Sequence, residues 1–347
     1  MATCLHVVKI KGLCGVCGAK VDSLPSSTSV SMIHSNPELK LSQEYAEQLG
    51  KADQERLIKE QKLVLLVDLD QTILHTTHEE VRDDPTVHSF KLWPGHPTYY
   101  TKIRPYLDEF LEAISKTYEL HIFTFGCREY ANKIASIIDP DGKYFSNRIL
   151  TRTESSDQHS KLGNLSNLFP CGDAMVCIID DRADVWRGTG NLIQVKPYVY
   201  FKTSISDGAM PRQPTSPSAP SSVKDNVNMN SERDEKSSRE TTNKDQNDYS
   251  QRQIDDSSDE NDDDDATNDE DDEDDEENQR LADILEDLVE RPDPVEDTHL
   301  KDLPRILNWI HDRWYKEYNE RTRHLERDEH YQLPDLKDII RVYLRKK

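Results

Sequence analysis

Leu63-Val64-Leu65-Leu66-Val67-Asp68-Leu69-Asp70-Gln71-Thr72 is an unbroken apolar run of strand length that stops at two carboxylates. A strand buried on both faces of a parallel sheet reads this way where it surfaces. Strand side chains alternate, so if that geometry persists past Val67, Asp68 and Asp70 face one spot. Two like charges so close need a cation, a shared proton or a strong partner. A hard divalent ion such as Mg2+ suits such a pair. Two further runs end alike: Leu120-His121-Ile122-Phe123 at Thr124, and Met175-Val176-Cys177-Ile178-Ile179 at Asp180-Asp181. Between them Tyr106, Leu107, Phe110, Leu111 and Ile114, and then Tyr130, Ile134, Ile137 and Ile138, recur at helical spacing. Strands alternating with helices predict an α/β fold on a parallel sheet. Ligands of open sheets of this kind sit beyond the carboxyl ends of the strands, which brings all three polar ends to one crevice.

That crevice would hold four carboxylates, the Thr124 hydroxyl and the ammonium of Lys161. No G-x-x-x-x-G-K-[ST] loop and no G-x-S-x-G elbow occurs, which argues against nucleotide-driven and serine-hydrolase chemistry. A carboxylate nucleophile acting on phosphorus fits instead. Asp68 would attack while Mg2+ neutralises the phosphoryl oxygens. Asp70 would protonate the leaving alkoxide and later deprotonate water. Thr124 would hydrogen-bond the phosphoryl group, and Lys161 would pair with one Asp of the 180–181 couple while the other completes the metal site.

D-x-D-x-T at Asp68, Asp70 and Thr72 resembles the first motif of the haloacid-dehalogenase superfamily. Within it the chain is most similar to the TFIIF-associating phosphatases of the RNA polymerase II carboxy-terminal domain. The likeness is carried by LVLLVDLDQTILHTT, YELHIFTFGCREYANKIASIIDPDGKYFSNRIL and LFPCGDAMVCIIDDRADVW, over residues 60–202. It implies a parallel sheet with flanking helices and an Mg2+-dependent protein-serine phosphatase working through an aspartyl-phosphate. By resemblance Asp68 is the nucleophile, Asp70 the acid/base, and Thr124 and Lys161 contact phosphate. The metal would be held by Asp68, Asp70 and Asp181, with Asp180 behind them. Arg104, Tyr118, Arg152 and Arg182 fall at positions where that family binds substrate. Thr153 and Cys127 stand where it usually has Asp and Thr. The implied substrate is the phosphorylated heptad repeat of the polymerase, and the implied compartment is the nucleus. The stretch from Arg128 to Leu162 is short for a cap that would enclose a metabolite, which disfavours a small-molecule phosphatase on the same fold. Trp93, Pro94, Tyr99, Tyr100 and Tyr106 would either contact a peptide or fill the core. A third reading, a non-catalytic acidic scaffold, leaves the set of chemical residues without a purpose.

The formal charge of −23 is concentrated in one place: residues 255–277 carry 17 Asp or Glu and no Lys or Arg, leaving −6 for the rest. Residues 203–254 are rich in Ser, Asn, Asp and Gln. Neither stretch can bury enough apolar surface to offset ordering entropy, so 203–277 is expected to be a disordered polar, then acidic, linker. The acidic run is either a solvating spacer or a contact for a basic factor such as TFIIF. The acidic surplus argues against direct nucleic-acid binding, which relies on clustered Lys and Arg. Beyond it, residues 278–347 read as helical. Leu281, Ile284, Leu285, Leu288 and Val289 form one stripe. A helix opening at Asp302 and Pro304 carries Leu307, Ile310, Trp314 and Tyr318, and another after Pro334 carries Leu336, Ile339, Ile340 and Tyr343. In the resembling family such a segment leads into a BRCT domain, for which the chain leaves no room.

The six cysteines are scattered, as in a reducing compartment rather than a disulfide framework. Within residues 1–24, Cys4, His6, Cys14 and Cys17 form C-x-H…C-x-x-C. They are either ligands of a structural Zn2+ or reduced, unliganded thiols. No signal-peptide core and no transmembrane run of about 20 apolar residues is present.

Overall fold

The computed structural model describes residues 4–21, 29–30, 39–82, 84–152, 160–204, 297–323 and 332–345. The chain opens with four short antiparallel strands, β1 (Val8–Ile10), β2 (Leu13–Cys14), β3 (Ser29–Val30) and β4 (Leu39–Ser42), in the order β2-β1-β4-β3. β4 runs directly into helix α1 (Gln43–Glu60), where the Ser42 hydroxyl accepts from the Tyr45 amide at 3.3 Å. An N-cap bond of this kind satisfies one of the orphan donors of the first turn. Gln61, at φ 52°, turns the chain out of the helix and into the apolar run.

That run is β5 (Leu63–Val67), and every one of its residues is buried. After Asp70 the chain builds an antiparallel sheet from β6 (Leu74–Thr77), β7 (Val87–Phe90) and β8 (Tyr99–Ile103), in the order β6-β8-β7. Helix α2 (Leu107–Ile114) then leads to β9 (Tyr118–Phe123), and α3 (Arg128–Ile138) to β10 (Ile149–Leu150). Helix α4 (Leu162–Leu168) precedes β11 (Val176–Asp180), and β12 (Leu192–Gln194) completes the main sheet. Its order is β10-β9-β5-β11-β12, with every pairing parallel. β5 comes first in sequence and lies in the middle, flanked by β9 on one side and β11 on the other. The chain order reverses beside β5, and a crevice opens at such a reversal.

Helices α5 (His299–Thr322) and α6 (Leu336–Arg345) belong to the same core as the sheet. Leu300, Leu303, Ile306, Leu307, Ile310 and Trp314 are all buried in it, and so are Leu336, Ile339 and Ile340. The Tyr118 hydroxyl donates to the Leu307 carbonyl at 2.6 Å, and Trp314 Nε1 donates to the Pro334 carbonyl at 2.8 Å. α5 begins before Asp302 and keeps Pro304 inside. Burial of Leu300 and Leu303 outweighs the missing amide, since each fully buried leucine contributes roughly 1.5–3 kcal/mol. The stripe at Leu281–Val289 and the linker from residue 205 lie outside the described residues.

Candidate active site

β5, β9 and β11 deliver their last residues to one place. Lys161 Nζ donates to Asp68 Oδ1 at 2.5 Å, to Asp180 Oδ2 at 2.7 Å and to the Phe123 carbonyl at 3.0 Å. All three charged groups are buried. The rings of Phe123, Phe125 and Trp186 lie 5.3–5.7 Å from the same ammonium, within range of cation–π attraction. Burial disfavours a charged lysine, but Asp180 and Asp68 outweigh it and raise the pKa of Lys161 above its usual value.

Asp180 is fully engaged. Its Oδ2 also accepts from Trp186 Nε1 at 2.8 Å, and its Oδ1 accepts from the Arg182 amide at 2.8 Å. Asp181 faces the D-x-D-x-T threonine: its amide donates to Thr72 Oγ1 at 3.1 Å, and the hydroxyl reaches its carboxylate at 3.4 Å. Carboxylate oxygens of Asp68, Asp180 and Asp181 lie within 4.8 Å of one another. Like charges about 4 Å apart repel by roughly 4 kcal/mol even at an effective dielectric of 20. Three buried carboxylates and one lysine ammonium meet in this cluster. Hard oxygen donors so placed fit a divalent cation.

Asp70 departs from the expected geometry. The strand ends at Val67, so the alternation that would align Asp70 with Asp68 does not continue, and its carboxylate is not in the three-membered group. Its Oδ1 instead accepts from the Tyr130 hydroxyl at 2.6 Å, and that hydroxyl pairs with Thr76 Oγ1 at 2.7 Å, itself 2.9 Å from Thr101 Oγ1. The chain of hydroxyls ties the aspartate to α3 and to the antiparallel sheet. A Cβ at Gly126 would come within 2.7 Å of the Tyr130 ring, so the glycine makes room for it. Tyr130 was legible in the sequence only as one member of an apolar helical stripe, and its hydroxyl gave no separate signal. Replacing it with Phe is expected to slow hydrolysis of an alkyl phosphate about 10–100-fold, part of the range typical of acid–base assistance. An aryl phosphate, whose leaving group needs less protonation, should be slowed much less. Equal loss on both substrates would mean a general structural defect.

Thr124 is buried at the end of β9, where its hydroxyl accepts from the Gly126 amide at 3.0 Å. The four residues expected to bind substrate do not converge. Tyr118 is corrected to a packing role: it starts β9, at the opposite end of the strand from Thr124, and bonds to α5. Arg104 is also removed from direct contact. It is buried, with bonds to the carbonyls of Thr72 at 2.8 Å and Lys196 at 3.0 Å and an ion pair to Asp297 at 3.1 Å. It braces the loop that carries Thr72. Arg182 is half exposed and paired with Asp184 at 2.7 Å. Arg152 follows β10, its amide on the Gly126 carbonyl at 3.3 Å. Of the aromatic candidates, Tyr99 is core, stacked 5.4 Å from Phe90. Cys4, His6, Cys14 and Cys17 come together in the N-terminal sheet, with the Cys14 thiol pushed down to about 6 by hydrogen bonds from the Cys17 and Val16 amides.

The parallel sheet of five strands, with its buried lysine–aspartate centre at the carboxyl edge, agrees with the haloacid-dehalogenase-like fold that the sequence resemblance implies. Residues 63–211 match the family described as NLI interacting factor-like phosphatase. The chain is 53% identical over 211 residues to a human phosphatase of the RNA polymerase II C-terminal domain, a match covering 57% of this chain and 22% of the relative. It is 41% identical over 222 residues to the protein of the same name from Schizosaccharomyces pombe, covering 57% of this chain and 30% of the relative. The chain thus spans less than a third of each of these relatives. A solved structure of Fcp1, described as an essential RNA polymerase II CTD phosphatase, is 28% identical with a TM-score of 0.54, covering 84% of this chain and 73% of that one. A fission yeast Fcp1 variant bound to beryllium fluoride is 27% identical with a TM-score of 0.53 over the same shares.

Proposed function

We propose that the chain is an Mg2+-dependent protein-serine phosphatase that acts on the phosphorylated C-terminal repeats of RNA polymerase II in the nucleus. The observation that carries the reading is the buried Lys161 bridge between Asp68 and Asp180, beside Asp181. An Asp68 oxygen attacks phosphorus, and the P–O bond to serine breaks. Asp70, with Oδ1 held by Tyr130, gives its proton from the other oxygen to the departing serine alkoxide. Water then attacks the phosphorus of the aspartyl-phosphate and passes a proton to Asp70, releasing inorganic phosphate and restoring Asp68. Lys161 balances charge on Asp68, and Thr124, already accepting an amide, has its hydroxyl proton for a phosphoryl oxygen. Mg2+ held by Asp68 and Asp181, with Asp180 behind, would neutralise phosphoryl oxygens and let two anions meet. Arg152 and Arg182 would meet negative charge flanking the phosphoserine. The acidic run at 255–277 would engage a basic partner such as TFIIF, with no direct contact to nucleic acid.

The test is turnover of a heptad-repeat phosphoserine peptide beside a set of sugar phosphates. The peptide should be strongly preferred, EDTA should abolish turnover, and Mg2+ should restore it. Asp181→Ala should weaken Mg2+ binding more than Asp180→Ala, because Asp180 already commits its oxygens to Lys161, Trp186 and a backbone amide. Preference for a sugar phosphate would replace this reading with a small-molecule phosphatase. Equal Mg2+ affinity in the Asp181→Ala variant and the wild type would reverse the ligand assignment.

A further inference from the structure

We propose that Cys4, His6, Cys14 and Cys17 hold one structural Zn2+ ion in a closed tetrahedral site that staples the N-terminal sheet. Cys4 Sγ lies 3.7 Å from Cys14 Sγ, and Cys17 Sγ lies 3.5 Å from His6 Nδ1. With Zn–S near 2.3 Å and Zn–N near 2.0–2.1 Å, the edges of a tetrahedron are about 3.8 Å between two sulfurs and about 3.5 Å between sulfur and nitrogen. Both measured edges match, and the four donor atoms all lie within 4.8 Å of one another. A disulfide would need the sulfurs near 2.0 Å, and all six cysteines are free.

The backbone is shaped for the same purpose. Cys14-Gly15-Val16-Cys17-Gly18 folds into a tight knuckle: the Gly18 amide bonds to the Cys14 carbonyl at 2.9 Å, the Cys14 amide to the Ala19 carbonyl at 2.8 Å, and the Val16 amide points at Cys14 Sγ from 3.4 Å. Gly18 takes φ 73°, a conformation that a residue with a Cβ adopts at a cost. His6 takes φ 51° without being glycine, and this aims its ring back at Cys17. A non-glycine residue in that region needs surrounding structure to hold it. A metal bond would do so.

The packing of this sheet gives an independent reason for a staple. Its apolar cluster among the described residues is Leu39, Leu41 and Ala46, with Val8, Ile10 and Tyr45 packed partly against it. Leu5, Leu13 and Val16 are exposed. So small a core does not hold four short strands together without a disulfide, a metal or outside support. The site closes on protein ligands alone, two before β1 and two in and after β2. It ties the extreme end of the described chain to the strand that pairs with β1, itself paired with β4, which continues into α1. Its role is architectural and does not rest on the phosphatase reading.

The test uses the untagged full chain. After dialysis against a mild chelator it should retain about one zinc per chain, the stoichiometry of a four-ligand structural site. Exchange for Co2+ should give the strong visible bands and thiolate charge-transfer absorption of a tetrahedral sulfur–nitrogen site. Cys14→Ser and Cys17→Ser should each lose the metal, while Cys171→Ser should keep it. Stripping zinc from the wild-type chain should speed amide exchange over residues 7–21. Because cobalt absorption and exchange are read on the wild type, a variant that fails to fold does not decide the outcome. No retained metal, a weak octahedral cobalt spectrum, or a Cys4–Cys14 disulfide found by mass spectrometry under reducing purification would each overturn the proposal.

Discussion

Under the proposed mechanism, Asp68→Asn is expected to lower turnover of a phosphoserine peptide by at least about a thousandfold, equivalent to roughly 4 kcal/mol of barrier. The amide keeps the shape of the carboxylate and still accepts a hydrogen bond from Lys161, but it has no charge with which to attack phosphorus. The same variant should fail to bind beryllium fluoride, which mimics a phosphoryl group on a carboxylate, while the wild type should bind it in the presence of Mg2+. Burst kinetics on an aryl phosphate provide a further check, because only a covalent intermediate releases the alcohol before the phosphate. An Asn variant with near wild-type turnover would sink the aspartyl-phosphate route.

Lys161→Met should damage stability as well as rate. The ammonium bridges two buried carboxylates, those of Asp68 and Asp180. Removing one member of a buried ion pair leaves uncompensated charge, typically costing about 3–5 kcal/mol. Urea denaturation should show that loss, and added Mg2+ should recover part of it by supplying positive charge to the same oxygens. The raised pKa of Lys161 fixes the pH range of its contribution. A group whose folded pKa lies above its unfolded value stabilises fully below the unfolded value and loses that effect only as pH rises through the folded one. The contribution should therefore be flat through neutral pH and fall only above the ordinary lysine range. A Met variant as stable as wild type would show that the carboxylates shed their charge some other way.

The parallel sheet was legible because fully buried strands write themselves as apolar runs. Leu63–Val67 matches β5, the run ending at Phe123 lies within β9, and the run from Met175 is offset from β11 by one residue. The polar stops marked the right edge for the same reason, since charge appears where a buried strand emerges. β6 and β7 went unread because they are short and carry Thr, His and Ser, and β8 because Thr101 and Lys102 break it up, so that none has an apolar run to announce it. Asp70 misled because strand alternation holds only while the strand lasts, and here it lasts to Val67. The family resemblance supplied Tyr118 and Arg104 as substrate contacts. Burial and hydrogen bonding place them instead in the frame, where Tyr118 anchors α5 and Arg104 braces Thr72. Trp186 and Tyr130 orient Asp180 and Asp70 through a ring nitrogen and a hydroxyl, groups whose direction no spacing pattern encodes.

The embedding of α5 in the sheet core also has a consequence for biosynthesis. The Tyr315 hydroxyl reaches the Leu57 carbonyl across 258 residues of sequence, and Trp314 reaches Ala174 across 140. A ribosome adds roughly 5–20 residues per second. Roughly 5–20 seconds therefore separate the emergence of β12 from that of the helix that covers its sheet. During that interval the strands present Leu- and Ile-rich surface to every other nascent chain and chaperone nearby. The number of residues between β12 and His299 sets that interval. Each residue inserted before His299 prolongs the exposure of an unfinished core.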